Sequence, residues 1–117
     1  MPKSAALSDL RALSFHEATV TGLALEAAGG ELRLQGVFSE SGLLFVTVHL
    51  ENITLCEVDG EVVENLAMEA SDGEVLTLDI HEHGIKLIVE WNEWTPRRQF
   101  VRTYDVQADS VGVEATP

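Results

Sequence analysis

The amino-acid sequence predicts a mainly β protein, with about eight antiparallel strands in a meander that closes as a barrel or folds as a two-layer sandwich. Apolar and polar residues alternate along most of the chain, which is typical of half-buried strands. Short glycine-containing turns separate the alternating runs. These turns are too short for the crossover helices that a parallel sheet requires. The 117 residues are enough for a single domain with one core, spanning 1–117.

The N-terminal segment, residues 1–14, predicts a short helix over 4–14. Its leucines recur at helical spacing and share one face: Leu7, Leu10 and Leu13. Ser4 is suited to the N-cap, since its hydroxyl can accept a backbone N–H bond. A helix of this length is marginal alone, so we expect it to pack on the sheet.

The first strand is predicted over 17–27. Its apolar residues change parity at Gly22, where a β-bulge would keep them on one face. A turn at 28–30 then leads into a strand over 31–38. The inward residues of that strand are expected to be Leu32, Leu34 and Phe38.

The longest strand is predicted over 43–52, after a turn at 39–42. One face carries Leu44, Val46, Val48 and Leu50. An extended run over 53–58 follows a kink near Asn52. This run contains the single cysteine, Cys56, which excludes an internal disulfide and is expected to be a packed thiol.

The next segment contains two turn signals. Asp59-Gly60 favours a type I′ hairpin turn, because both central residues of that turn need positive φ. Residues 61–70 fit either a helical turn or a strand, and we favour the strand. Asp72-Gly73 predicts a second turn of the same kind.

The clearest signal is a hairpin within Gly73 to Trp91. Two alternating runs, 75–80 and 85–91, flank the turn residues 81–84. We expect its inward residues to be Leu76, Leu78, Ile80, Ile85, Leu87, Val89 and Trp91.

The C-terminal part predicts a loop over 92–96 and a last strand over 99–107. Residues 111–117 predict a loose tail, although Val111 and Val113 could add a short edge strand.

The charge balance limits the classes of partner. The formal net charge is −13, and no basic residue lies between Arg33 and Lys86, where eleven acidic residues fall. Nucleic acids and anionic membranes require a basic surface, so neither is an expected partner. The acidity favours fast association with a basic protein, or simply keeps the domain soluble. The chain has neither the apolar region of a signal peptide nor an apolar run near the ~18 residues of a membrane span, so we expect a cytoplasmic protein.

One set of residues suggests a metal site. Asp79, His81 and His83 share strand parity, so they would project from one side at intervals of about 7 Å. Imidazole and carboxylate ligands suit zinc, iron or nickel, and His49 or His16 could add a ligand from a neighbouring strand. The competing interpretation is a solvated polar turn, because residues 82–84 are where the hairpin must reverse.

Another set suggests a protein interface. Trp94, Arg97 and Arg98 combine an aromatic residue with arginines, the residue types enriched at interface hot spots. The acidic part of the contact is assigned to Glu57, Asp59 and Glu61, inside the window that lacks basic residues. In the alternative interpretation, Trp94 caps the end of the barrel, and Arg97, Arg98 and Arg102 pair with acids of the same chain.

A resemblance to known families supports an interaction role. Phe15–Ala18, Phe-His-Glu-Ala, resembles the Phe-His-Asp-Ala opening of some small bacterial β-rich proteins, with Glu17 in place of Asp. The runs Phe45–Leu50, Asn52-Ile53 and Gly73–Leu76 extend the similarity. These features resemble immunity-protein families found beside polymorphic toxins, and related uncharacterised families. The resemblance implies a toxin-neutralising binding protein without catalysis, and it transfers no individual site residue.

Three functions follow as hypotheses. The first is a non-enzymatic interaction module whose acidic surface binds a basic protein, for example a nuclease toxin. The second is a barrel that binds a small ligand or a metal at the His81/His83 turn. The third is a homo-oligomeric module, such as a homodimer, joined through Trp94 or an exposed edge strand. No phosphate-binding loop or Gly-x-Ser-x-Gly motif is present, so the sequence favours a protein that is not an enzyme and needs no cofactor.

Overall fold

The computed structural model describes residues 3–4 and 13–117. In this part of the chain the secondary structure is mainly β-strand. The strands are β1 (Lys3–Ser4), β2 (Thr19–Glu26), β3 (Gly29–Ser39), β4 (Gly42–Val58), β5 (Glu61–Val62), β6 (Leu66–Ala67), β7 (Asp72–His81), β8 (Gly84–Trp94) and β9 (Arg97–Thr116). All strand pairs are antiparallel, which confirms the prediction of a mainly β protein with an antiparallel sheet.

Two three-stranded meanders make up most of the sheet. One is β2-β3-β4 and the other is β7-β8-β9. The long strand β9 joins them, because it pairs with β8 through its first half and with β4 from Tyr104 onward. On the other side, β2 and β7 meet at Thr19 and Glu74. The strand order β2-β3-β4-β9-β8-β7 therefore closes on itself, because its last strand pairs with its first.

The short link between β2 and β7 is completed by residues 15–18. The N–H of Glu17 donates to the Val75 carbonyl, and the Val75 N–H donates to the Ala18 carbonyl, both at 2.8 Å. The His16 ring donates from Nδ1 to the Leu76 carbonyl at 2.9 Å. Phe15 and Ala18 are buried. The Phe-His-Glu-Ala segment thus fills the seam between the two meanders and satisfies backbone groups there.

The core lies between the two meanders and is filled by side chains from all the long strands. Trp91 and Tyr104 are its largest fully buried members. Around them pack Val20, Leu23, Leu25, Leu32, Leu34, Val37, Val46, Val48, Leu50, Cys56, Leu66, Val75, Leu78, Ile85, Leu87, Val89, Val106, Ala108 and Val113. An interior filled by Leu and Val side chains argues against a large ligand cavity between the strands.

Four register shifts interrupt the strand pairs. One lies in β4, between Ile53 and Leu55, and the other three decide whether predicted core residues face inward. The predicted bulge at Gly22 is confirmed: the register shifts between Val20 and Gly22, and the buried residues on both sides share one face. A second shift, between Leu34 and Val37, turns Val37 inward and leaves Phe38 65% exposed. The prediction that Phe38 is a core residue was therefore wrong.

The third bulge lies in β7. Its register against β8 shifts between Val75 and Thr77, so Leu76 is the extra residue. Val75 and Leu78 are buried, whereas Leu76 is only partly so. The hairpin itself is confirmed, since Ile80 pairs with Ile85 and the chain reverses at residues 82–83. The inward position assigned to Leu76 was wrong, because uninterrupted alternation does not allow for an inserted residue.

The predicted turns have mixed outcomes. Asp59 and Gly60 both have positive φ, 51° and 85°, as the type I′ prediction requires. The kink in β4 is confirmed by Asn52, whose φ is 54°. Asp72-Gly73 is not a turn but the start of β7. Gly73 instead leaves room for a core side chain, since an added Cβ would lie 2.7 Å from the Trp91 ring.

The last strand is longer than predicted. Residues 111–116 are not a loose tail: they belong to β9 and pair with β4, with Val113 opposite Val48. The predicted loop over 92–96 is shorter, because β8 extends to Trp94 and only Thr95 and Pro96, joined by a cis peptide bond, form the turn.

Two further predictions concern less regular segments. Residues 61–70 contain the short strands β5 and β6 rather than one strand. Of the predicted N-terminal helix, residues 5–12 lie outside the described residues. Ser4, which was expected to cap that helix, belongs to β1 and pairs with Glu114. Within 3–4 and 13–117, no helix is long and apolar enough to span a lipid bilayer.

Candidate functional site

The histidine-bearing turn lies at one end of the β7–β8 hairpin. Asp79 and His81 are exposed on the side of β7 that faces away from the core, and His83 belongs to the turn itself. The His83 ring donates from Nδ1 to the Asp109 carbonyl at 3.0 Å, and the His83 carbonyl accepts the Ala108 N–H at 2.8 Å. These bonds fasten the turn to β9, which is a structural role.

The structure does not gather the proposed metal ligands. Within the described residues, no group of three or more His, Cys, Asp or Glu side chains is placed to hold a metal ion. His16 lies at the seam, and His49 lies between Glu31 and Glu114, at 3.5 Å and 3.4 Å. These two carboxylates approach opposite nitrogens of the His49 ring, so they do not surround one common position.

The aromatic and basic residues lie at the tip of the β8–β9 hairpin. Trp94 is 58% exposed, and the Arg97 guanidinium carbon lies 5.9 Å from the centre of its ring. These two residues pair across the strands and share the outer side, which faces away from the core. Arg98 is on the inner side, 5.4 Å from the Phe100 ring. The predicted set is thus split between the two sides of the hairpin.

Glu93, opposite Arg98, ties this tip to the preceding segment. Its carboxylate accepts the Ser71 hydroxyl at 2.9 Å and the backbone N–H groups of Ser71 and Trp94 at 3.2 Å. The Ser71 hydroxyl makes the largest contribution to lowering the pKa of Glu93, and the nearby Arg98 adds to it. The orientation of the hairpin tip therefore depends on a charged group.

The three predicted acidic contacts are also divided. Val58 pairs with Glu61 and Glu57 pairs with Val62, and directly opposite residues share a side of the sheet. Glu57 lies on the outer side, because its neighbour Cys56 is buried and side chains of a strand alternate between its two sides. Asp105 is its cross-strand neighbour on β9. Asp59 and Glu61 instead line an open cleft of about 530 Å³ between β5, the following segment and Arg102.

A polar network closes the inner wall of this cleft. Arg102 donates from Nε to Glu69 at 3.1 Å and from Nη1 to Asp59 at 3.3 Å. The other Asp59 oxygen accepts the Thr103 N–H at 2.8 Å. The predicted pairing of Arg102 with acids of its own chain is confirmed. These bonds hold residues 59–69 against β9.

The network continues into the core through Tyr104. Its hydroxyl accepts the Trp91 indole N–H at 2.7 Å and donates to Glu69. Burial, and then the bond to Glu69, raise the pKa of Tyr104 far above its usual range. A neutral tyrosine thus links the fully buried indole to a carboxylate at the surface. This chain of bonds ties the core to the segment that contains Glu69.

Sequence reasoning singled out neither Tyr104 nor Glu69. Tyr104 has the same parity as the buried Val106, and a buried tyrosine hydroxyl usually needs a partner, which was a usable signal. Glu69 lies in the segment whose secondary structure was ambiguous. Nothing local distinguishes it from the other carboxylates.

The outer side of β7, β8, β9 and β4 carries an acidic face, which we define as Glu57, Glu74, Asp79, Glu90 and Asp105. Glu74 lies directly opposite Glu90, and Glu57 directly opposite Asp105. Lys86 on β8 lies directly opposite Asp79 on one side and Asp105 on the other, and it contributes a positive charge to this part of the sheet. Like charges opposite each other destabilise a sheet, so this arrangement reduces the stability of the free protein.

Comparisons with known proteins identify no relative of this chain: no family model matches, no curated protein matches and no solved structure matches.

Proposed function

We propose that this chain is a non-enzymatic protein-interaction module, a six-stranded barrel of β2, β3, β4, β7, β8 and β9 that binds a basic protein through its acidic face. The observation that carries the proposal is that two pairs of acidic residues lie directly opposite each other on neighbouring strands, Glu57–Asp105 and Glu74–Glu90. A basic partner would reduce the repulsion within both pairs. Residue pairs that lower the stability of the folded protein are expected at functional sites, where binding requires them.

The surroundings of the acidic face support the same conclusion. Val101, directly opposite Glu90, is 47% exposed and offers an apolar contact beside the carboxylates. Trp94 and Arg97 extend the same side of the hairpin. An interface of this kind combines an apolar centre with charges that guide association.

The chemistry of the face indicates the class of partner. A nuclease toxin is one suitable protein, because it must present basic residues to hold nucleic acid. The binding of such a protein at its basic surface would block access to its substrate. The chain would then neutralise a toxin without any catalysis of its own.

The test uses two double variants with the same change in charge. Glu57→Gln with Asp105→Asn removes one like-charge pair, and Glu26→Gln with Glu51→Gln removes two exposed carboxylates away from the acidic face. Candidate partners are taken by affinity capture, purified, and titrated by calorimetry at low and high salt. We expect a basic partner whose affinity falls with salt and falls at least about tenfold in the first variant only.

Stability gives a second readout. Glu57→Gln alone should be more stable than the wild type by about 0.2–1 kcal/mol, because it removes one of the opposed like charges and leaves Asp105 opposite Lys86. Higher stability together with weaker binding would support a functional reason for the pair. Partners that are neutral or acidic, or whose affinity is unchanged by both salt and the first variant, would refute the proposal.

A further inference from the structure

The first part of β9 is an open sheet edge. Residues 104–107 of β9 pair with both β4 and β8, but residues 97–103 pair only with β8. The Asp59-Gly60 turn covers this edge at Thr103, whose N–H and C=O both bond to Asp59 at 2.8 Å. No backbone bond within the described residues covers the edge between Arg97 and Val101.

The bonds of Thr103 identify which backbone groups are free. Backbone groups alternate in direction along a strand, so the N–H and C=O of Arg97, Gln99 and Val101 point the same way as those of Thr103, away from β8. These three alternate residues present unpaired N–H and C=O groups along one edge, and such an edge is a template for another strand.

We propose that this edge is a homodimer interface, in which β9 of a second copy pairs antiparallel with Arg97–Val101 around a two-fold axis at Gln99. With the axis at Gln99, Arg97 lies opposite Val101 of the second copy and Gln99 lies opposite itself. Each such pair exchanges two backbone hydrogen bonds, so every free group of the edge is satisfied. An axis at Arg98 would place Val101 opposite Thr95, which lies in the turn. An axis at Phe100 would place Arg97 opposite Thr103, whose backbone groups already bond to Asp59.

The side chains fit this register. On the outer side, the Arg97 guanidinium would lie beside the exposed Val101 of the second copy rather than beside another arginine. On the inner side, Arg98 would lie opposite Phe100, a contact that already exists within one chain at 5.4 Å. Cation–π contacts of this kind stabilise without needing an acid.

The charge distribution also favours this edge as the meeting point. The whole chain carries −13, so two copies repel each other over most approaches. Residues 90–101 contain two acids, Glu90 and Glu93, and two arginines, Arg97 and Arg98, and are therefore neutral overall. The hairpin tip is thus a surface where two copies meet without local repulsion. Added salt should strengthen the dimer by screening the remaining charge.

The experiment measures the oligomeric state by sedimentation equilibrium over a wide range of concentration, at low and high salt. Val101→Lys places a positive charge opposite Arg97 of the second copy, twice per dimer, and should weaken the dimer about tenfold. Adding Arg97→Glu to Val101→Lys should restore dimerisation, because the two new charges attract between copies. Val62→Lys, the same substitution at another exposed valine, is the matched control and should leave the dimer unchanged.

Amide hydrogen exchange supplies a second readout. The N–H groups of Arg97, Gln99 and Val101 should gain protection as the concentration rises, whereas those of Arg98 and Phe100, which face β8, should not change. A protein that stays monomeric throughout overturns the proposal. So does a dimer that is insensitive to Val101→Lys and leaves these three amides unprotected. Salt separates this proposal from the binding of a basic protein, which salt should weaken.

Discussion

Tyr104→Phe tests whether the bond between the core and the surface carboxylate matters for stability. The substitution keeps the ring and removes one oxygen, so packing should be preserved. The Trp91 indole N–H, which is fully buried, then loses its 2.7 Å acceptor. An unsatisfied buried donor costs about 1–3 kcal/mol, and we expect the free energy of unfolding to fall by about 2 kcal/mol. For a domain of this size, the melting temperature should fall by about 8 °C.

Urea denaturation followed by tryptophan fluorescence, together with calorimetry, measures this loss. Glu69→Gln is the control, since it keeps an acceptor for the Tyr104 hydroxyl and should cost less. A loss below about 0.5 kcal/mol in Tyr104→Phe would refute the reasoning, because it would mean that the indole N–H finds another partner at little cost.

The same residue predicts a dependence on alkaline pH. The folded protein raises the pKa of Tyr104, so the tyrosine stays protonated when the unfolded chain has begun to ionise. The stabilisation is complete below the ordinary tyrosine pKa of about 10 and is lost as the pH rises above it, by about 1.4 kcal/mol per pH unit. In Tyr104→Phe this contribution should be absent. If the free energy of unfolding fell equally with pH above about 10 in the wild type and in Tyr104→Phe, the loss could not be assigned to Tyr104.

Three further predictions concern separate parts of the molecule. Gly73→Ala should lower the free energy of unfolding by about 1–3 kcal/mol, because the added Cβ would overlap the buried indole ring of Trp91. Gly112→Ala is the control: an added Cβ meets nothing within 4 Å there, so the free energy of unfolding should change by less than about 0.5 kcal/mol. Chemical denaturation of the two variants measures both values. Burial raises the pKa of the Cys56 thiol, so a thiol reagent should react slowly with the folded protein and quickly in denaturant; fast reaction without denaturant would contradict the burial. Ser71→Ala should raise the pKa of Glu93 toward its ordinary value in an NMR titration, and an unchanged titration would show that the Ser71 hydroxyl does not hold the carboxylate.

Local patterns predicted most of the long strands and most of the reversals correctly. The alternation of Val46, Val48 and Leu50 identified the inward face of β4 because side chains of a strand alternate between its two sides. Asp59-Gly60 identified a turn because few residue pairs tolerate two positive φ angles. Both signals lie within a few neighbouring residues, so no knowledge of the fold was needed.

The errors have two physical causes. Phe38 and Leu76 were placed inward because alternation was continued through bulges that the sequence marks weakly. Residues 111–116 were predicted as a tail, with a short edge strand at Val111 and Val113 as the alternative, because so short a run is weak local evidence for a strand. They are ordered by pairing with β4, which is distant in the sequence. Where the partner lies across the sheet, local propensity cannot reveal it.

The candidate sites show the same limit. Composition indicated an acidic protein, but not that Glu57 and Asp105 would face each other while Asp59 and Glu61 turn toward a cleft. Which carboxylates are neighbours depends on strand register across elements far apart in the chain. The open edge at Gln99 was likewise invisible, because an edge is defined by which strand is missing beside it.

The sequence by itself determined the antiparallel β class, the central hairpin and the strongly acidic charge, since each follows from local alternation, turn chemistry or composition. Only the tertiary structure decided that β9 joins the two meanders, that Tyr104 connects Trp91 to Glu69, and that the acidic and aromatic residues divide between two sides of the sheet. These features arise from pairing between segments tens of residues apart. Register and bulges, rather than residue type, set which side chains meet.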